Sequence, residues 1–389
     1  MPATFDFSAH RPLVLPPATE AVTPFEVHVP QAAIEDLQLR LRLARWPDQE
    51  LVEDWSQGVP LDAAKSLVDY WLNGYDWRTF EARLNSFPQF RTRIDGVGIY
   101  FIHALSPHPN ATPILLTHGW PGSVLEFLNV IERLTDPVAF GGKAEDAFHV
   151  VVPAIPGYGF SDKPTEQGWN PARIARAWAV LMTQRLGYKH WVAQGGDWGA
   201  AITTALAGQA PEGLKAAHVN LPMVVPAQLP ARPTEEERQA LEDIERYVSD
   251  KAGYANQMNT RPQTIGYALN DSPVALATWM YEKFWEWTDN NGRPEDALTR
   301  DQMLDDISLY WFTGTGTSSA PVLGRRGRDH SWRGLLLVVA RRRGAYPGAD
   351  GREHFPRRNL QAATGVGRSG MGQPVLLECC GQGRAFCGV

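Results

Sequence analysis

The sequence predicts an α/β protein built on a mostly parallel sheet with helices on both faces. Three observations carry this. Short apolar runs end in Gly- and Pro-rich loops, as in PILLTHGWPGS from Pro113 and FHVVVPAIPGYGFS from Phe148. Segments of helical character alternate with these runs. The stretch GYKHWVAQGGDWGAAITTALAG from Gly187 reads strand, sharp turn, helix, with Gly195-Gly196-Asp197-Trp198-Gly199 at the turn. Apolar strands that alternate with helices pair in parallel, buried on both faces.

In chain order, residues 25–47 read as a strand followed by an amphipathic helix whose apolar residues are Ile34, Leu37, Leu39, Leu41 and Leu43. Residues 66–84 read as further helix, rich in Trp and Tyr. FRTRIDGVGIYFIHAL, from Phe90, alternates across an Asp95-Gly96 turn, a hairpin signal. The two apolar strands and the strand–turn–helix follow, and LKAAHVN from Leu214 reads as one more buried strand. From about Leu221 to Thr317 the chain becomes helical, charged and Trp-rich, which suggests an inserted helical lid. The expected organisation is an N-terminal extension over 1–105, an α/β core over 106–220, a lid over 221–319 and an aberrant tail over 320–389.

Composition is that of a globular protein, with 43% hydrophobic and 21% charged residues. A net charge of −6 argues against nucleic acid as a partner. No apolar run approaches the roughly 18 residues of a membrane span, and the N-terminus has no secretory pattern, so a soluble cytoplasmic protein is expected. The average hides a break. From Pro321 onward there are twelve arginines, no lysine, four acidic residues and all three cysteines (Cys379, Cys380 and Cys387). The tail thus carries about +8, and the remainder −14 of the total −6. No metal-ligand or nucleotide-binding pattern is present, and neither a metal nor a cofactor is implied.

Gly-Gly-Asp-Trp-Gly has the small-x-nucleophile-x-small spacing of a nucleophile elbow, with aspartate where serine is usual. The turn exposes its middle side chain at a helix N-terminus, where N–H groups favour an anion. Asp197 is therefore expected to be ionised. A carboxylate attacking an ester or amide would give an unstable anhydride, so its electrophile should be an sp³ carbon, as in an epoxide or alkyl halide. The bland alternative is a helix N-cap, a position Asp favours. His118-Gly119-Trp120-Pro121 follows an apolar strand upstream, where such folds place an oxyanion loop. The N–H groups of Trp120 and Trp198 are the candidate oxyanion donors.

HGWPGS, PGYGFS, GGDWG and the lid segments resemble the epoxide hydrolases of the microsomal and juvenile-hormone type, over roughly residues 1–319. The resemblance implies an α/β-hydrolase fold and hydrolysis of an epoxide to a diol through an aspartyl ester. In that family two lid tyrosines bind the epoxide oxygen and protonate it. SLYWFTG places Tyr310 at one of these positions, and KAGYANQ places Tyr254 at the other. Each tyrosine could alternatively be lid packing. Aromatic lid residues suggest a hydrophobic epoxide as substrate, with water as co-substrate.

The same family supplies an acid from a segment like FPEEI and a histidine from a segment like GGHFAA. Neither stands after Ser319: His330 and His354 lie in Arg-rich contexts and read as surface residues. A shifted reading frame accounts for this. Codons exist for Val322–Arg325 that contain Tyr-Trp-Glu one base along. EHFPRRN permits Ser-Ile-Phe-Pro-Glu-Glu-Ile, and QPVLLECCGQGRAFCGV permits a segment ending Gly-Gly-His-Phe-Ala-Ala, all in one frame and in family order. The lost histidine codon would straddle Ala385 and Phe386, and the acid would overlap Arg357 and Arg358. Absent or ill-formed final strands, a bare sheet edge beside LKAAHVN and no multiple turnover are the expected consequences. The other readings are a haloalkane dehalogenase, which also uses an elbow aspartate, and an inactive product acting only through its basic tail.

Overall fold

The computed structural model describes residues 13–222 and 232–320. The expectations for the tail, including His330, His354 and the missing strands, lie outside the described residues. Contact clustering divides the chain into two units. Their described parts are 13–222 with 255–320, and 232–254.

The first unit is organised by seven strands: β1 (Thr23–Pro24), β2 (Gln89–Ile94), β3 (Val97–Ala104), β4 (Thr112–Thr117), β5 (Phe148–Pro153), β6 (Trp191–Gly195) and β7 (Leu214–Val219). Their order is β1-β2-β3-β5-β4-β6-β7. The pairs β5–β4, β4–β6 and β6–β7 are parallel, and the hairpin side is antiparallel. Its helices are α1 (Gln31–Arg42), α2 (Leu61–Asn73), α3 (Trp77–Asn85), α4 (Leu128–Thr135), α5 (Pro171–Val180) and α6 (Trp198–Gln209). After α7 (Glu235–Arg246), in the second unit, come α8 (Gly253–Thr260), α9 (Pro262–Asp271), α10 (Pro273–Trp287) and α11 (Arg300–Thr313). Among the described residues no helix is long and apolar enough to cross a membrane.

Burial explains why the apolar runs sit centrally. Ile99 to Ile102 and Val150 to Val152 are wholly inaccessible, as expected of strands covered on both faces. Asp95 at φ 50° and Gly96 at φ 80° form the turn the hairpin signal anticipates. The strand expected over 25–30 is corrected. Thr23–Pro24 pairs with β2 and the Phe25 N–H donates to the Gln89 carbonyl at 2.9 Å, but beyond it the backbone is held by side chains: Val27 N–H donates to Asn85 Oδ1 at 2.9 Å and Val29 N–H to Glu81 Oε1 at 2.6 Å. Apolar patterning measured burial there, since Val27 and Val29 are buried, but not ladder pairing. In α1, Leu37 and Leu41 are buried whereas Leu39 and Leu43 are exposed, so only the i, i+4 pair forms the core stripe. The helical stretch 66–84 is two helices, broken at Gly74-Tyr75-Asp76, with the Asp76 side chain capping α3 by accepting Arg78 N–H.

Two contacts fix α11 against the rest of the unit. Trp71 Nε1 on α2 donates to Ser308 Oγ at 2.9 Å, and the Tyr75 hydroxyl donates to Asp305 Oδ1 at 2.9 Å. α11 is closed by a capping box at Thr299 and Gln302, and by Gly314 in the left-handed region. These ends set which side chains of the helix face inward.

Candidate active site

β6 ends at Gly195 and α6 begins at Trp198, so the chain reverses within two residues. Asp197 absorbs the reversal at φ 48°, ψ −121°, a conformation an L-residue holds only where its surroundings impose it. Glycine makes the room: a Cβ on Gly199 would overlap the Thr117 carbonyl oxygen, and one on Gly195 the carbonyl of Gly199. The elbow therefore presses against the C-terminal end of β4.

Asp197 occupies the N-cap position of α6, yet its side chain makes no capping hydrogen bond. Its Oδ1 instead accepts the Trp120 N–H at 2.8 Å, and the Trp198 N–H also donates to the carboxylate. Burial pushes the carboxyl up to about 6, against the two N–H donors. Helix-terminal N–H groups alone led to the expectation of an ionised Asp197. Desolvation outweighs them, so ionisation is complete only well above that value.

His118 opens the oxyanion loop but is no base. Its Nε2 accepts the Ile155 N–H at 3.1 Å, and Nδ1 stands 3.0 Å from the Gly119 carbonyl. Burial lowers it to about 4, so it is a neutral ring tying the loop to the end of β5. The Trp120–Pro121 peptide is cis.

Tyr310 is fully buried on α11, and its hydroxyl donates to the Gly122 carbonyl at 2.7 Å. Burial first, then Tyr158, Asp306, Glu126 and Asp197, hold this phenol well above its ordinary value. The sequence thus directs Tyr310 to the same loop that supplies the Trp120 N–H. Tyr254 lies in the second unit, where its hydroxyl is 2.9 Å from that of Tyr247.

A cavity of about 470 Å³ opens at Asp197, lined among others by Trp120, Glu126, Phe284, Trp287 and Asp306. Three of its carboxyls were not anticipated from the sequence. Asp306 is buried and accepts the Ser123 hydroxyl at 2.6 Å; burial, then Asp305, push it to about 8. Asp305 is pushed to about 7, mainly by burial. Glu126, in the 3₁₀ turn Val124–Phe127, accepts the Gly119 N–H. Its side chain lines the cavity and is exposed there. The protein packed around it, then Asp306 and Asp197, raise its carboxyl above the usual carboxylate range. The available sequence signals were an acid four residues past Gly122 in an apolar stretch, and an acid one turn before Tyr310.

Comparison with known proteins agrees with this geometry. The family pattern described as "Epoxide hydrolase N terminus" matches residues 22–127, and that of the alpha/beta hydrolase fold matches residues 112–268. The chain is 61% identical over 302 residues to a Stigmatella aurantiaca protein named "Putative epoxide hydrolase", covering 77% of this chain and 68% of that one. It is 36% identical over 325 residues to Epoxide hydrolase 1 of Sus scrofa, covering 77% and 71%. Among solved structures it is similar to Aspergillus niger epoxide hydrolase, with a TM-score of 0.69 at 32% identity over 82% of both chains. By fold, by elbow and by these relatives, the chain belongs to the epoxide hydrolase family of α/β-hydrolases.

Proposed function

We propose that Asp197 is the nucleophile of this chain and that its substrate is a hydrophobic epoxide. The carboxylate attacks a ring carbon, the carbon–oxygen bond opens, and a hydroxyalkyl ester forms on Asp197. Tyr310 hydrogen-bonds the ring oxygen as it opens, the role its family motif implies, and Tyr254 is the second candidate for that role. The Trp120 and Trp198 N–H groups then stabilise charge on the ester when water attacks it. The observation that carries this reading is the Asp197 carboxylate held by the Trp120 N–H, 2.8 Å away, in the wall of a largely apolar cavity. The aromatic rings of Trp120, Phe284 and Trp287 favour an apolar substrate.

Hydrolysis of the ester needs a base to activate water. Among the described residues no histidine lines the cavity, and His118 is committed to the Ile155 N–H. We therefore infer that the chain is alkylated once and stalls. Incubation with styrene oxide followed by intact-mass and peptide mass spectrometry is expected to find one hydroxyalkyl adduct, on Asp197, with diol release not exceeding one equivalent. Steady diol production by this chain would refute the stall, and an adduct elsewhere would refute the nucleophile.

A further inference from the structure

The oxyanion loop and α11 are tied at two consecutive loop residues. The Tyr310 hydroxyl donates to the Gly122 carbonyl at 2.7 Å, and the Ser123 hydroxyl donates to Asp306 Oδ1 at 2.6 Å. Asp306 and Tyr310 are four residues apart on α11, so they lie one above the other on one face of the helix. Ser123, Asp306 and Tyr310 are all buried. Ser123 Oγ also accepts the Leu125 N–H at 3.3 Å, so one hydroxyl both caps the 3₁₀ turn Val124–Phe127 and reaches the helix. The bonds from Trp71 to Ser308 and from Tyr75 to Asp305 hold α11 against α2 and the segment after it. They do not reach the loop.

The reaction asks different things of the two ties. In the proposed ring opening the Tyr310 hydroxyl turns to the epoxide oxygen. A phenol has one proton to donate, so the bond to the Gly122 carbonyl is given up at that moment. The Ser123–Asp306 bond involves neither Tyr310 nor Asp197 and persists through the turn. We propose that Asp306 is a positioning residue: through Ser123 it keeps α11 in register with the oxyanion loop, so that the freed Tyr310 hydroxyl stays aimed at the oxygen of the bond that Asp197 attacks. This deepens the reading of Asp197 as nucleophile and Tyr310 as ring-oxygen donor, and rests on it. The Trp120 N–H holds Asp197 from the same loop, two residues before Gly122. A slip of α11 along the loop therefore moves the hydroxyl relative to the carboxylate, and a displacement of about 1 Å is enough to cost on the order of 100-fold in rate. The tie needs an acceptor at this place, not a charge, and Asp306→Asn supplies one.

The test is single-turnover alkylation of Asp197 by styrene oxide on the full chain, read by mass spectrometry across a concentration series. Asp306→Ala is expected to lower the limiting rate roughly 10- to 100-fold. The half-saturating concentration should stay within about twofold, since Phe284 and Trp287 still line the cavity. Asp306→Asn, whose amide oxygen accepts the Ser123 hydroxyl, recovers most of the lost rate. A double-mutant cycle with Tyr310→Phe separates aiming from general support. Without a hydroxyl at 310 there is nothing to aim, so adding Asp306→Ala to Tyr310→Phe should lower the rate no further. Losses that multiply, or a wild-type rate in Asp306→Ala, overturn the positioning role. Ser123→Ala breaks the same bond from the loop side and takes the place of Asp306→Ala if that variant does not fold. A wild-type rate in Tyr310→Phe overturns the ring-oxygen donor, and the role of Asp306 with it. Absence of any adduct on Asp197 in the wild type overturns the nucleophile reading itself, whereas a wild-type adduct with multiplying losses overturns the positioning role alone.

Discussion

Asp306 shows how one buried acid ties the site to stability. Its carboxyl is raised from the ordinary value near 3.8 to about 8, with burial as the main cause and the Ser123 hydroxyl opposing it. A group raised on folding binds more protons in the native state, so it lowers stability progressively as pH rises through the window between these values. Asp306→Asn keeps the Ser123 hydrogen bond and removes that penalty. Its melting temperature should exceed that of the wild type by a margin that is small at pH 4 and grows up to pH 8. A margin that is constant with pH, measured by thermal denaturation, would show that the carboxyl is not raised. Glu126 and Asp305 act in the same direction, so a cavity suited to holding protons is also one that weakens the fold at alkaline pH.

At the scale of elements, the elbow depends on contact between backbones. Gly199 in the first turn of α6 leaves no space between that helix and the Thr117 carbonyl at the end of β4. Gly199→Ala must push two buried backbones apart, and should lose about 3 kcal/mol or more in urea unfolding. Gly208→Ala, in the same helix with open space around its Cα, should instead gain about 0.5–1 kcal/mol. Equal effects would mean that the elbow contact is not the constraint. The β7 edge of the sheet, beside the elbow strand, is less protected among the described residues. Among the described residues β7 pairs only with β6, and Lys215, Ala216 and His218 are exposed. A parallel sheet ending in a partly bare strand is an aggregation hazard, mitigated here by one charged residue.

At the scale of the molecule, one half of a hydrolytic cycle is assembled and the other half is missing from the described residues. Asp197, the proposed nucleophile, and Tyr310 both bond to the loop 118–122, at the Trp120 N–H and the Gly122 carbonyl. The switch to an arginine-rich, lysine-free composition comes directly after the well-packed Ser319-Ala320. A gene edited so that the codons after Ser319 are read one base along should encode the Glu-Glu and Gly-Gly-His segments. The product should release diol steadily, where the present chain is expected to stop at one equivalent. Timed diol assays on the two proteins, at equal concentration, decide this; equal single-equivalent yields would sink the reading-frame account.

The sequence by itself determined the core strands and their order along the chain, the Asp95-Gly96 turn and the sharp turn at Asp197 between β6 and α6. Each of these is written in local terms, as a run of apolar residues, a turn dipeptide or a fixed spacing of glycines around a nucleophile. Tyr310 was legible only through resemblance to a family motif. Tertiary structure alone decided that Val27 and Val29 are held by Asn85 and Glu81 instead of a strand partner. It also decided that the raised carboxyl of Asp197 answers to burial more than to its helix. The same holds for Glu126 and Asp306, which are 180 residues apart yet face one cavity. Electrostatic coupling and desolvation depend on distance in space, and spacing along the chain carries no measure of that.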